Sequence, residues 1–219
     1  MLMLGVDTSG PLGGVALCDA GAIEEERGLE TPLSHAEQLL PLLDQLLSDC
    51  SLERNAIDAV CVHCGPGSFT GLRIGMAAMK GFCQAIGRPL MGVNGTEVLR
   101  NLVPEVQRVA VLIHSRRDLY YGRWFSGTRP RGEIERLTEA EVVARLQRER
   151  RELLVIGSGV PRLSEQLENL HWIKAARDEL NRASPIAVAK YGMQQTIADQ
   201  LMTVEPLYVE PFLARGAVR

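Results

Sequence analysis

The chain has 219 residues, about one and a half times the roughly 150 of a typical domain, which predicts one large domain or two small ones. With 46% hydrophobic residues, 23% charged residues and a formal net charge of −3, it can bury a core without staples. Those values exclude a collagen, a coiled coil and a surface that binds nucleic acid by bulk positive charge.

The opening Met1-Leu2-Met3-Leu4-Gly5-Val6-Asp7 has no basic n-region and soon meets a carboxylate, so a secretory signal is not expected and a cytoplasmic location is. The most leucine-dense stretch, 39–47, contains Pro41 and Asp44 and falls short of the ~20 apolar residues of a membrane span. The five cysteines read as free thiols. Cys61 and Cys64 have the spacing of a redox or zinc motif. Residues 57–64, however, alternate like a buried strand, which points the two sulfurs to opposite faces. No metal site is expected.

Residues 2–6, 13–19 and 22–27 predict three strands joined by turn-rich segments. Ser34 with Glu37 forms a capping box before a leucine-rich helix that runs to about Asp49 and carries Pro41. A strand at 57–64, a helix at 70–86 closed by Gly87, a strand at 90–93 and a short helix at 96–102 follow. The order is βββαβαβα. From Arg108 it begins again, with strands at 108–113, 119–125 and 133–137, then a helix capped by Thr138 with Glu141. A strand at 153–156, a helix at 162–170, a weak strand at 171–174, a helix from Pro185 to about Gln200 and a last strand at 206–209 complete it. A repeated element order is what a duplicated domain leaves behind. The expected architecture is therefore α/β, two ribonuclease-H-like halves facing one cleft, each a mixed sheet flanked by helices. The domains are 1–104 and 105–219.

Asp7-Thr8-Ser9 ends the first strand. At such a turn in an actin-like or sugar-kinase-like fold, hydroxyls and amides meet nucleotide phosphates and a carboxylate holds Mg2+ through water. An Asx turn that caps its own backbone is the alternative. Gly65-Pro66-Gly67-Ser68-Phe69-Thr70-Gly71-Leu72-Arg73-Ile74-Gly75 leaves a strand and opens a helix, so Gly65 and Gly67 are candidates to present bare amides to an anion. The same glycines also suit a tight turn, and the helix offers two small-residue rows for helix approach, Gly71, Gly75 and Ala78 on one face and Ala77, Gly81 and Ala85 on another. Neither the P-loop nor the dinucleotide spacing is present. Ser68 has no placed base, which leaves no catalytic nucleophile. Residues 108–136 carry seven Arg against Asp118, Glu133 and Glu135, with aromatic residues interleaved. This pattern describes an RNA contact or an ordinary half-buried hairpin, and the solvated-face reading is preferred.

The segments Gly5 to Ser9, Ser34-His35 with Leu39-Leu40-Pro41, Gly65 to Gly75, Lys80-Gly81, Pro89 to Val93 and Pro206 to Val209 together resemble the bacterial TsaB (YeaZ) family. The resemblance covers nearly the whole chain, most specifically at Gly65 to Gly75 and loosely over 105–203. It implies an actin-like ATPase (ASKHA) fold. It also implies a non-catalytic subunit in synthesis of the threonylcarbamoyl adenosine of tRNA, paired with a TsaD-like catalytic subunit and a TsaE-like ATPase. No cofactor is implied in isolation, with ATP and Mg at the partner subunits. It implies tRNA contact mainly through the complex, and pairing with TsaD or as a homodimer through helices of the first half. His35, Leu39, Leu43, Leu46, Gly71, Gly75 and Ala78 are the expected partner surface. Asp7, Thr8, Ser9, Gly65 and Gly67 are the expected residue of a nucleotide site. TsaD-type subunits bind metal through His-x-x-x-His, and here Leu39 stands four positions after His35. His114-Ser115-Arg116 stands where the family often has Asp-Ala-Arg, so the second carboxylate is missing. A competent actin-fold small-molecule kinase or ATPase using Asp7 and the glycine-rich loop is the alternative.

Overall fold

A computed structural model of the chain describes residues 1–21, 23–29 and 35–209. The capping box expected at Ser34 lies outside the described residues. In the first half, β1 (Met3–Asp7), β2 (Gly14–Cys18) and β3 (Glu24–Gly28) form an antiparallel meander. Next come α1 (His35–Asp49), β4 (Ala59–Gly65), α2 (Phe69–Ile86), β5 (Leu90–Asn94) and α3 (Gly95–Asn101). β4 pairs parallel with β1 and β5 parallel with β4, in the order β3-β2-β1-β4-β5. β1 and β4 are buried at every position, as central strands covered on both faces must be.

The second half repeats the order. β6 (Arg108–His114), β7 (Leu119–Ser126), β8 (Arg129–Pro130) and β9 (Glu135–Thr138) precede α4 (Glu139–Arg148), β10 (Leu153–Ile156), α5 (Ser164–Glu168), β11 (Ile173–Ala175) and α6 (Pro185–Met193). The sheet runs β11-β10-β6-β7-β8, and β9 also pairs with β7. β8 and β9 hold opposite ends of β7, so together they stand where β3 stands in the first sheet. Thr138 caps α4 through the capping box with Glu141.

Three apolar clusters give the layering. Leu39, Leu43, Leu46, Val60, Val62 and Met79 pack α1 and α2 on one face of the first sheet. Met3, Cys61, Val111, Phe125, Val188 and Ala189 fill the space between the two sheets, with α6 inside it. Leu112, Trp124, Val142, Leu146 and Leu163 bury the outer face of the second sheet under α4. α6 lies on β1 so closely that a Cβ at Gly5 would overlap the carbonyl oxygen of Pro185. Cys61 belongs to the middle cluster and Cys64 to the first, so their sulfurs do occupy opposite faces of β4.

The structure corrects several boundaries. α5 covers only Ser164–Glu168, because Pro161 opens a 3-10 turn at Val160–Leu163 ahead of it. α6 stops at Met193 rather than near Gln200, and 206–209 is not a strand. The chain after α6 instead runs along the free edge of β5. There Gln200 N–H donates to Leu90 O (2.8 Å), Gln200 Oε1 accepts from Gly92 N–H (2.9 Å) and Asp199 Oδ1 accepts from Leu90 N–H (3.3 Å). These bonds satisfy an edge that would otherwise present open backbone groups.

Candidate functional site

β1 delivers Asp7, 4% exposed, to the end of the first sheet. Its Oδ1 accepts from Ser9 N–H (2.8 Å), an Asx turn. The neighbouring strand β4 places His63 beside it, Nδ1 to Asp7 Oδ1 3.8 Å, both groups buried. Gly65 N–H donates to His63 Nδ1 (3.1 Å), so that nitrogen is an acceptor and the proton resides on Nε2. Burial holds the His63 pKa below its ordinary value despite the opposing pull of Asp7. The pair is therefore a neutral imidazole next to a carboxylate and not an ion pair.

The expected nucleotide residues Asp7, Thr8, Ser9, Gly65 and Gly67 do come together. Ser68 N–H donates to Ser9 O (2.7 Å), and a Cβ at Gly67 would lie 2.6 Å from both Ser9 Cβ and Ser9 O. Gly65 has φ +120°, a conformation side chains resist, and Ser68 Oγ caps α2 by accepting from Gly71 N–H (3.2 Å). An anion cradle needs amides that point outward. Here the Ser9, Gly65, Ser68 and Gly71 amides are all engaged within the chain.

The opposing strand end offers no carboxylate. His114 Nε2 faces Arg117 O (3.0 Å) and its main-chain N–H donates to Ser158 Oγ (3.1 Å), so the ring closes its own β6–β7 turn. The residues present do not fit a magnesium nucleotide. Among the described residues no group of three His, Cys, Asp or Glu side chains is arranged to hold a metal ion.

The chain's own C-terminal segment lies over the glycine-rich loop. Leu207 N–H donates to Cys64 O (2.7 Å), Arg73 Nε donates to Tyr208 Oη (2.7 Å), and the Arg73 guanidinium sits 3.9 Å above the Phe69 ring. Phe69 and Tyr208 are each 41% exposed.

The expected partner surface divides. Leu39, Leu43 and Leu46 are 1–2% exposed and fill the first core cluster. Their spacing is that of an ordinary core-facing stripe. Gly71 and Gly75 also face inward, because a Cβ at either would overlap Thr8 O or Thr8 Oγ1. The small residues thus admit Thr8, which is 0% exposed, rather than a partner. Ala78 is partly buried against the same cluster. His35 opens α1, and its side chain lies outside the described residues. The exposed positions are instead Leu40 of α1, 43% exposed, and Ala77, Gly81 and Ala85 of α2, and Gly81 has open space where a Cβ would stand.

In the arginine-rich hairpin, Tyr120, Trp124 and Phe125 are 0–1% exposed, and Arg145 from α4 stacks 3.6 Å from the Trp124 ring. The hairpin is a half-buried one whose large aromatics serve the core. Sequence reasoning missed His63 as a neighbour of Asp7. Its signal is a lone imidazole in an otherwise apolar buried strand.

Residues 30–129 match the family model described as TsaD, tRNA N6-adenosine threonylcarbamoyltransferase. An uncharacterized protein of Mycobacterium tuberculosis is 33% identical over 132 residues, 59% of this chain and 62% of that protein. The tRNA threonylcarbamoyladenosine biosynthesis protein TsaB of Bacillus subtilis is 30% identical over 99 residues, 45% of this chain and 43% of that one. The TsaB protein of Escherichia coli is 32% identical over 94 residues, 43% and 40% of the two. The chain thus spans less than two thirds of the length of these relatives. YeaZ from Pseudomonas aeruginosa superposes with a TM-score of 0.72 at 23% identity over 95% of this chain and 99% of that one. A polyphosphate/ATP-glucomannokinase from Arthrobacter gives 0.51 at 14% identity over 89% of this chain and 99% of that chain. These two likenesses place the two-sheet architecture among actin-like folds.

Proposed function

We propose that this chain, which belongs to the TsaB/YeaZ family, serves in tRNA threonylcarbamoyladenosine synthesis as a non-catalytic subunit that docks a TsaD-type transferase. Membership supports the pathway. The observation that carries the non-catalytic role is the Ser68 N–H to Ser9 O bond at 2.7 Å, which joins the two segments a nucleotide would have to separate. In this reading a TsaE-type ATPase joins through the TsaD-type subunit, and ATP and Mg2+ are used at those partners. Contact with tRNA is made mainly through the complex, and the work is cytoplasmic. Among the described residues no helix is long and apolar enough to cross a membrane.

The docking face is the outer row of α2, Ala77, Gly81 and Ala85, together with the exposed Leu40 of α1. All four are exposed, and small residues let a partner helix come close enough for dense packing. Without the partner, the same face pairs two copies of this chain. The test is size-exclusion chromatography with light scattering on the chain mixed with the same organism's TsaD-type subunit. A discrete complex that Gly81→Leu prevents, with the circular dichroism of the variant unchanged, is the expected result. A variant that assembles like wild type, or no complex at all, overturns the reading.

A further inference from the structure

A cavity of about 240 Å3 opens between the two halves, lined by none of Asp7, Thr8 and Ser9. Asn94 at the end of β5, Arg123 on β7, Glu133 and Ile134 before β9, and Leu207 to Val209 line it. It is smaller than the roughly 300–1,000 Å3 of drug-sized pockets, so its ligand is small.

Its polar groups have spare capacity of both signs. Arg123 is 9% exposed, and its Nη1 donates to Glu97 Oε1 (3.0 Å) and Thr96 Oγ1 (3.4 Å) while Nε donates to Gly132 O (3.4 Å). Nη2 has no partner among the described residues. Asn94 Oδ1 accepts from Thr96 N–H (2.9 Å) and from Thr96 Oγ1 (2.8 Å), which assigns the amide orientation and leaves both Nδ2 hydrogens without a partner there. Glu133 makes no hydrogen bond or ion pair among the described residues either.

Charge selects the ligand. Glu97 and Glu133 outnumber the one guanidinium, so a plain anion such as phosphate meets net negative surroundings. A plain amine would satisfy Glu133 and leave the donors of Arg123 and Asn94 unused, a loss where a group is buried. A small molecule with a carboxylate at one end and an ammonium at the other uses all three, and Ile134 and Leu207 offer apolar wall for a short side chain. We infer that this cavity binds a free amino acid, its carboxylate on Arg123 and Asn94 and its ammonium on Glu133. This inference is independent of the proposed docking role.

Thermal-shift screening of the full chain against the standard L-amino acids, β-alanine and γ-aminobutyrate at about 10 mM, followed by calorimetry on the best of them, tests it. Expected is saturable binding by at least one compound. Its N-acetyl form, its methyl ester and the Glu133→Gln variant should each weaken binding about tenfold or more. Glu133 is exposed and unpartnered, so that variant keeps its fold. Arg123→Gln should act likewise once circular dichroism shows it folded. No saturable binding by any compound overturns the inference. So does binding that survives esterification or Glu133→Gln, or phosphate binding as tight as the amino acid.

Discussion

Gly75 of α2 lies against the buried hydroxyl of Thr8, and a single added methyl would overlap Thr8 Oγ1. That hydroxyl has no hydrogen-bond partner among the described residues. The glycine that read as an opening for a partner is therefore the seat of the chain's own β1–β2 turn, and the first expected outcome follows. Gly75→Ala should destabilise the protein by about 1–3 kcal/mol, the usual effect of overpacking. Adding Thr8→Ala should recover part of that loss, because the two sites share one contact. Urea unfolding of the two single variants and the double variant measures it. Strict additivity would show that the two residues do not touch.

Magnesium ATP should give no saturable heat with the isolated chain up to about 100 μM protein. The amides of Ser9, Gly65, Ser68 and Gly71 already have partners, and His114 stands where a second carboxylate would be needed. A micromolar dissociation constant lost in Asp7→Ala would show that the loop opens for a nucleotide.

His63 supplies a pH dependence with a definite sign. Its folded pKa is depressed from 6.5 by burial, so below that pH the unfolded chain takes up a proton that the folded chain refuses. Its contribution to stability is whole above about pH 6.5 and falls as the pH drops towards the folded value, by up to ~1.4 kcal/mol per unit. Chemical unfolding at pH 7 and pH 5.5 should show a smaller drop in His63→Gln than in wild type. An equal drop would mean that other groups govern the acid limb.

The buried thiols should be inert. Burial raises Cys18 and Cys64 to about 11 and Cys83 to about 12, and raises Cys61 further. Thiolate, the reactive form, is scarce in all four at pH 8. Cys50, only partly buried, should react first with iodoacetamide in the native protein, and all five should react in urea. Mass spectrometry reads the order, and fast native labelling of Cys61 or Cys64 would contradict it.

The βββαβαβα order was legible twice over, because alternating strands, capping residues and Gly87 punctuate the chain strongly. The Asp7 turn and the glycine-rich loop were legible as one neighbourhood for the same reason. Which side of α1 and α2 faces out was not. Leucines at 39, 43 and 46 mark a stripe, but periodicity shows only that a stripe exists and not what covers it. Both small-residue rows of α2 suited a partner, and only the position of Thr8 tells them apart. The chain after Met193 was misread as helix and strand because its bonds go to the β5 edge and to Cys64, partners about a hundred residues or more away in sequence. No local pattern records such contacts.

In the proposed role this chain works through a helical face and not through a catalytic cleft. Reconstituted threonylcarbamoyl transfer to tRNA by the partner subunits, with Asp7→Ala and Gly81→Leu compared in the same assay, tests it most directly. Asp7→Ala should support transfer within about twofold of wild type, whereas Gly81→Leu, folded by circular dichroism, should lower it at least about tenfold at sub-saturating partner. The reverse pattern, with Asp7→Ala inactive and Gly81→Leu unimpaired, would contradict the account.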